Sequence, residues 1–382
     1  MDKTKKLNDF EVVDVEKEPQ NSYKHKEQRY YLIAVKKMRV ILMACAILYT
    51  FSPLSIFGDI SSALFSFAFP ALYIISGFLV LRRSKNIEKR ILNTIKRTAI
   101  CFVILFAAYL ILSFFIDSQT TLEMLKSKSF WIDFLVLNIC KLPAGSTIWF
   151  VQALLYAYII IYLIYKCKLL KFDIYIAGLC LVVTLLTGEL SSIIGFNFLG
   201  HEYLGGNFLT RALPYILIGC FIYRKERIFG NISLRKHIVI AVIGVVLSVA
   251  EYVILVLTGK KVYVGHLLGM GLVAVAISLF CFLVDGMEMR SKPLKYLSRN
   301  ELMIPFFVCS PIYDLLILLC RSSQSIANYL GNYIGIVTLV ISFLVLYLYS
   351  YLRLFLSRTK LFKKIKNRKM QKANKRVHSK AL

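Results

Sequence analysis

Residues 82–116 read RRSKNIEKRILNTIKRTAICFVILFAAYLILSFFI. Sixteen positions carrying seven Lys or Arg run directly into nineteen positions, 98–116, without a single charge. A hydrocarbon core about 30 Å thick is crossed by about 20 apolar residues at 1.5 Å each. The second half therefore reads as a membrane-crossing helix. The first half reads as a basic loop of the kind that stays on the cytoplasmic side. Similar runs recur on both sides of it, at about 39–57, 61–81, 147–166, 174–188, 209–223, 237–258, 264–284, 301–320 and 332–355, which makes ten spans. The stretch SFWIDFLVLNIC (129–140) is apolar but short, and reads as an interfacial or re-entrant piece.

Composition agrees with this reading. Hydrophobic residues make up 58% of the 382 and charged residues 18%, with a mean hydropathy of +0.66. Those values exclude an ordinary soluble domain, a disordered chain and a fibrous repeat. Only helices or closed barrels satisfy their backbone within lipid, and runs near 20 residues select helices. The expected fold is therefore all-α and polytopic, with about ten transmembrane helices. An even number of spans places both termini on one side. The flanks on that side hold 39 of the 48 Lys and Arg, against seven on the other, so both termini are expected in the cytoplasm. Residues 1–36 read as a largely disordered tail of mixed charge, 37–356 as the transmembrane domain, and 357–382 as a basic tail. No cleavable signal sequence is expected, because residues 1–38 hold no apolar core.

The net charge of +27 is thus mainly topological. The basic tails suit anionic lipid headgroups. No pattern of stacking aromatics points to nucleic acid. The nine Cys include no C-x-x-C pair, and with five His no metal site is expected. A phosphate-binding G-x-x-x-x-G-K motif, a G-x-S-x-G elbow and an H-E-x-x-H pair are all missing from the sequence.

Charge at membrane depth is costly and marks function by default. Arg39 opens the first span, either as an anchor or as a cation awaiting a phosphate-bearing substrate. Glu251 falls in the outer half of the seventh span, as a base, a substrate ligand or the partner of a cation such as Arg211. Asp314 follows Pro311 in the ninth span, where proline frees backbone carbonyls. Arg211, His201, Glu202 and His266 gather at outer span ends. The basic stretch at 82–97 is either a topology signal or a surface for a polyphosphorylated donor such as a nucleotide-bearing coenzyme.

Four segments, in order, resemble the acyltransferase 3 family of membrane proteins. They are FSFAFPALYIISGFLVLRR (65–83), STIWFVQALLYAYIIIYLI (146–164), FLTRALPYILIGCFIYRK (208–225) and LSRNELMIPFFVCSPIYDLLI (297–317). The resemblance implies an O-acyltransferase, often an acetyltransferase. Such a protein takes an acyl group from cytoplasmic acyl-CoA and passes it to a hydroxyl of an envelope glycan or lipid-linked sugar. Acetyl-CoA or another acyl-CoA would serve as donor substrate, with no bound cofactor. Arg39 matches the family's first-span Arg. Thr50 stands where the family carries a His, and Ser310 where it carries a His before Pro. Thr cannot act as a general base near neutral pH, so Glu251 or Asp314 is expected to orient or deprotonate the acceptor hydroxyl, beside Thr50. Arg39, Arg82, Arg83, Arg90 and Arg97 are expected to hold the donor's phosphates. Trp149, Phe150, Arg211 and His266 are expected along the substrate path. The competing reading is a non-catalytic relative, an exporter, flippase or assembly partner for an envelope polysaccharide. Lys- and Ile-rich usage suits a bacterial cytoplasmic membrane.

Overall fold

The computed structural model describes residues 38–51, 65–81, 86–142, 147–187, 207–225, 233–257, 268–283, 303–323 and 333–358, with 229, 326, 329 and 330. Among these, all regular structure is helical. The helices are α1 (Met38–Thr50), α2 (Ala68–Leu81), α3 (Ile87–Ile116), α4 (Ser118–Lys126), α5 (Lys128–Leu135) and α6 (Ile148–Lys166). After a short 3-10 turn (Leu169–Phe172) come α7 (Asp173–Thr187), α8 (Phe208–Arg211), α9 (Leu213–Arg224), α10 (Leu234–Leu257), α11 (Leu268–Leu283), α12 (Ile304–Ser322) and α13 (Ile334–Arg358). The expected tail at 1–36, and that at 357–382 from residue 359 on, lie outside the described residues.

Each expected span falls on a helix. Among the described residues, six stretches are long and apolar enough to cross a membrane: α3, α6, 169–186, α10, α12 and 334–353 of α13. The chain is a multi-pass membrane protein. One local expectation changes. The basic stretch before residue 98 is not all loop, because α3 already begins at Ile87. Asn86 caps it, its side chain accepting the Lys89 N–H at 2.9 Å, and Glu88 sits in the first turn near the positive helix end. Glu88 also takes Lys166 at 2.6 Å, which ties the start of α3 to the end of α6. The apolar piece at 129–140 forms the eight-residue helix α5, whose Trp131, Ile132 and Leu135 stay exposed.

Thirteen of the fourteen residues of α2 are buried, so it is the central helix of the bundle. Glycine makes this possible. A Cβ on Gly77 would stand 2.0 Å from the Ile216 carbonyl oxygen of α9, and one on Gly219 would stand 2.1 Å from that of Ile74. The two backbones touch because neither residue has a side chain, the usual means of close helix packing in lipid. α10 and α11 cross in the same way at Gly244 and Gly269.

Pro311 lies inside α12. Having no N–H, it leaves the carbonyl four residues earlier, that of Phe307, without its helical donor. The Tyr109 hydroxyl of α3 donates to that carbonyl at 2.6 Å and accepts from the Thr147 hydroxyl at 2.8 Å. Both side chains are buried. Losing this donor leaves a buried carbonyl unsatisfied, at a cost of about 1–3 kcal/mol. Tyr109→Phe is therefore expected to lower the melting temperature in detergent by several degrees. Tyr156→Phe, which removes an exposed bond to Leu135 O, is expected to lower it by less. Equal shifts would refute the assignment.

Candidate functional site

A cavity of about 790 Å³ opens among α1, α2, α3, α6 and the start of α12, at the end of the bundle where α3 begins. One face of α3 lines it. Asn86, Arg90, Asn93, Arg97 and Cys101 recur at spacings of three and four, with Lys89, Thr94 and Thr98 beside them. This polar stripe extends about 22 Å along the helix axis. Ser76, Leu79 and Val80 of α2 and Val151, Leu154 and Tyr158 of α6 form the opposite wall.

Arg39 enters from the first turn of α1. It is only 7% exposed, and its Nε and Nη1 have no hydrogen-bond partner. A buried, uncompensated cation costs several kcal/mol. Arg90 is anchored differently: its Nη2 donates to the Leu79 carbonyl at 2.6 Å and so caps the end of α2. Among the described lining residues, Arg39, Lys89, Arg90 and Arg97 are cations and none is acidic. Such a site suits a ligand with several negative charges, and the open N–H groups of Arg39 suit phosphate oxygens.

Beyond the cavity the core becomes aromatic. Tyr73 stacks on Phe150 at 5.0 Å, and Phe69 and Phe306 each lie 5.5 Å from Phe150. Trp149 lies 4.9 Å from Phe69, and the Arg211 guanidinium sits 5.7 Å over its indole ring. The expected path residues Trp149, Phe150 and Arg211 thus come together, but behind the cavity rather than in it.

The three expected catalytic residues are not cavity-lining. Thr50 sits at the far end of α1, about 16 Å along the helix from Arg39, and its hydroxyl donates to the Ala46 carbonyl at 2.8 Å. Phe51 next to it packs 4.4 Å from Tyr313, so Thr50 and Asp314 share one region. Asp314 Oδ2 is buried without a partner. Glu251 lies apart, where its Oε2 accepts the Gly269 N–H at 3.3 Å and so satisfies an open donor in the first turn of α11. Arg82, Arg83, His266, His201 and Glu202 lie outside the described residues. No group of three metal-ligating side chains occurs among the described residues.

Charge density at 82–97 pointed to Arg90 and Arg97. The additional lining residues Asn86, Lys89, Asn93, Thr94 and Thr98 were not singled out. Their signal is polar residues at helical period, and the charge run conceals it by suggesting a loop. Ser76 and Tyr158 carry no such signal.

No curated protein and no solved structure matches the chain. The family model for the acyltransferase 3 domain, described as an acyltransferase domain, matches residues 34–351. That range takes in the basic cavity, the aromatic cluster and the region of Thr50 and Asp314, and it leaves out only the two ends of the chain. The family supports a membrane acyltransferase in general terms, and the chain belongs to the acyltransferase 3 family.

Proposed function

We propose that the protein is an O-acyltransferase that takes an acyl group, acetyl in the first instance, from cytoplasmic acyl-CoA. The acceptor is a hydroxyl of an envelope glycan or lipid-linked sugar on the other side of a bacterial cytoplasmic membrane. In this reading ten helices cross the membrane and both termini are cytoplasmic. The supporting observation is a cavity whose described lining holds four cations and no acid, with the Arg39 Nε and Nη1 buried and without partners. Arg39, Lys89, Arg90 and Arg97 hold the coenzyme's phosphates, and Arg82 and Arg83 add to the same charge. The polar face of α3 takes the extended arm, which brings the thioester toward the aromatic cluster.

The acceptor oxygen attacks the thioester carbonyl, the C–S bond breaks, and the coenzyme leaves as thiolate. The acceptor's proton needs a base. Asp314 suits that role better than Glu251, because its Oδ2 is buried and open while Glu251 is engaged by α11. Thr50 neighbours it and offers only a hydroxyl oxygen.

Calorimetric titration of the detergent-purified protein with acetyl-CoA tests the donor. Saturable binding competed by free CoA is expected. No heat at millimolar coenzyme, from a folded sample, would overturn the reading and favour an exporter or assembly partner. Asp314→Asn is expected to cut transfer of labelled acetyl groups into envelope material by about 10²–10⁴-fold while leaving acetyl-CoA affinity unchanged. Unchanged transfer would remove Asp314 from the mechanism.

A further inference from the structure

The α4–α5 hairpin leaves α3 at its end and folds back along it. α5 bypasses the last turns of α3, where Phe114 and Phe115 stay exposed. Its Phe134 ring instead stacks 5.0 Å from Phe106 and 5.9 Å from Phe102, and Trp131 lies 6.3 Å from Phe106. Phe106 and Phe102 stand ten and fourteen residues before Ile116, which is about 15 and 21 Å down the helix axis. α6 gives the same level. Tyr156 stands eight residues into that helix from Ile148, about 12 Å along it, and its hydroxyl donates to the Leu135 carbonyl at 2.7 Å. Both α3 and α6 are long and apolar enough to cross the membrane, so the carboxyl end of α5 lies well inside the hydrocarbon layer.

A helix end at that depth has no water to meet its last four carbonyls. All four of α5 have donors within the protein. Ile132 O accepts from the Val136 and Leu137 N–H groups, and Asp133 O from that of Ile139. Gln152 Nε2 of α6 donates to Phe134 O, and the Tyr156 hydroxyl to Leu135 O. The Trp131 indole N–H likewise donates to Leu125 O at 2.9 Å. Asp133, the only acid on α5, is buried and paired with Lys141. What stays exposed on α5 past Ser129 is apolar: Trp131, Ile132 and Leu135, continued by Val136. Exposed Lys126 and Lys128 stand at the other end of the helix, where long cationic side chains reach headgroup phosphates.

We infer that α5 is a re-entrant half-helix that enters the bilayer from the side on which α3 ends, the outer side in the orientation proposed above. Its exposed edge binds lipid acyl chains, and Lys126 and Lys128 mark the headgroup level. This placement needs only that α3 and α6 cross the membrane, and holds whatever ligand the cavity takes. Phe134 fastens α5 to α3 through its ring and to α6 through its carbonyl. The lipid-embedded hairpin thus joins two of the helices that line the cavity.

Trp131 and Trp149 are the only two Trp in the chain, so Trp149→Phe isolates the reporter. The full-length variant goes into phosphatidylcholine vesicles carrying a nitroxide either on the headgroup or midway down the acyl chain. The chain nitroxide is expected to quench Trp131 about twofold more than the headgroup one, the reverse of a Trp in an interfacial belt. Stronger quenching by the headgroup label, or by aqueous iodide, overturns re-entrance. No quenching by any of the three overturns the lipid contact. Should Trp149→Phe fail to fold, the difference between wild type and Trp131→Phe yields the same signal. Leu135→Asp is expected to cut the yield of folded protein about tenfold or more, because a carboxylate at that depth faces hydrocarbon. Gln119→Asp, on the exposed start of α4, is expected to leave the yield within about twofold. Equal yields overturn the placement of α5.

Discussion

Arg39→Met is expected to weaken acetyl-CoA binding by about 100-fold or more while raising the melting temperature of the ligand-free protein. Both effects come from the same atoms. Nε and Nη1 are buried with no protein group to bond, so removing the charge relieves a desolvation cost. In the loaded cavity those N–H groups meet phosphate oxygens, and each charge-assisted bond contributes about 1.5–3 kcal/mol. Two such bonds exceed the roughly 2.8 kcal/mol that corresponds to 100-fold in affinity. Methionine fills much of the space left by the guanidinium, which keeps the packing of α1 against α2. Arg39→Lys is expected to fall between, because an ammonium keeps the charge and loses the planar fork. Calorimetry and a thermal melt on the same preparations read both quantities. Binding unchanged within threefold would remove Arg39 from the donor site.

Gly77→Ala and Gly219→Ala are each expected to abolish recovery of folded protein, and Gly178→Ala to be tolerated. The first two place a methyl about 2 Å from a helix carbonyl, and a backbone atom cannot rotate away as a side chain does. The helices must separate, and the separation spreads because α2 is buried on every side. Overpacking of yielding cores costs about 1–3 kcal/mol, and this contact has less room to yield. A Cβ on Gly178 in α7 meets nothing within 4 Å, so alanine there adds helix propensity of up to about 1 kcal/mol. Size-exclusion profiles of the three variants from matched cultures decide the matter. Equal yields would refute the contact.

The membrane class and helix positions were legible because insertion depends on local apolar length. Nineteen uncharged residues at 98–116 decide that helix by themselves. Arg39 was legible for the same reason, as a charge at the edge of an apolar run. The separation of Arg39 from Thr50 followed from helical rise alone. What escaped depends on contacts between distant segments. Glu251 reaches Gly269 on the next helix, and sequence offers an unexplained carboxylate but not the backbone donor that meets it. Phe69, Tyr73, Phe150 and Phe306 come from three helices, and each looks like ordinary apolar filling until they meet. The stretch before residue 98 was misjudged because charge suggests loop, whereas Asn86 and Glu88 specify a helix start.

The length of α3 has one more effect. Thirty residues extend about 45 Å, some 15 Å more than a hydrocarbon core. The polar stripe occupies that surplus and then dips below the lipid headgroups. A charged molecule following it travels along a protein rail that starts in bulk water, and it sheds hydration gradually against Asn, Thr and Arg side chains. On the donor reading proposed above, what such a molecule must wait for is water leaving the groove and not its own partition into lipid.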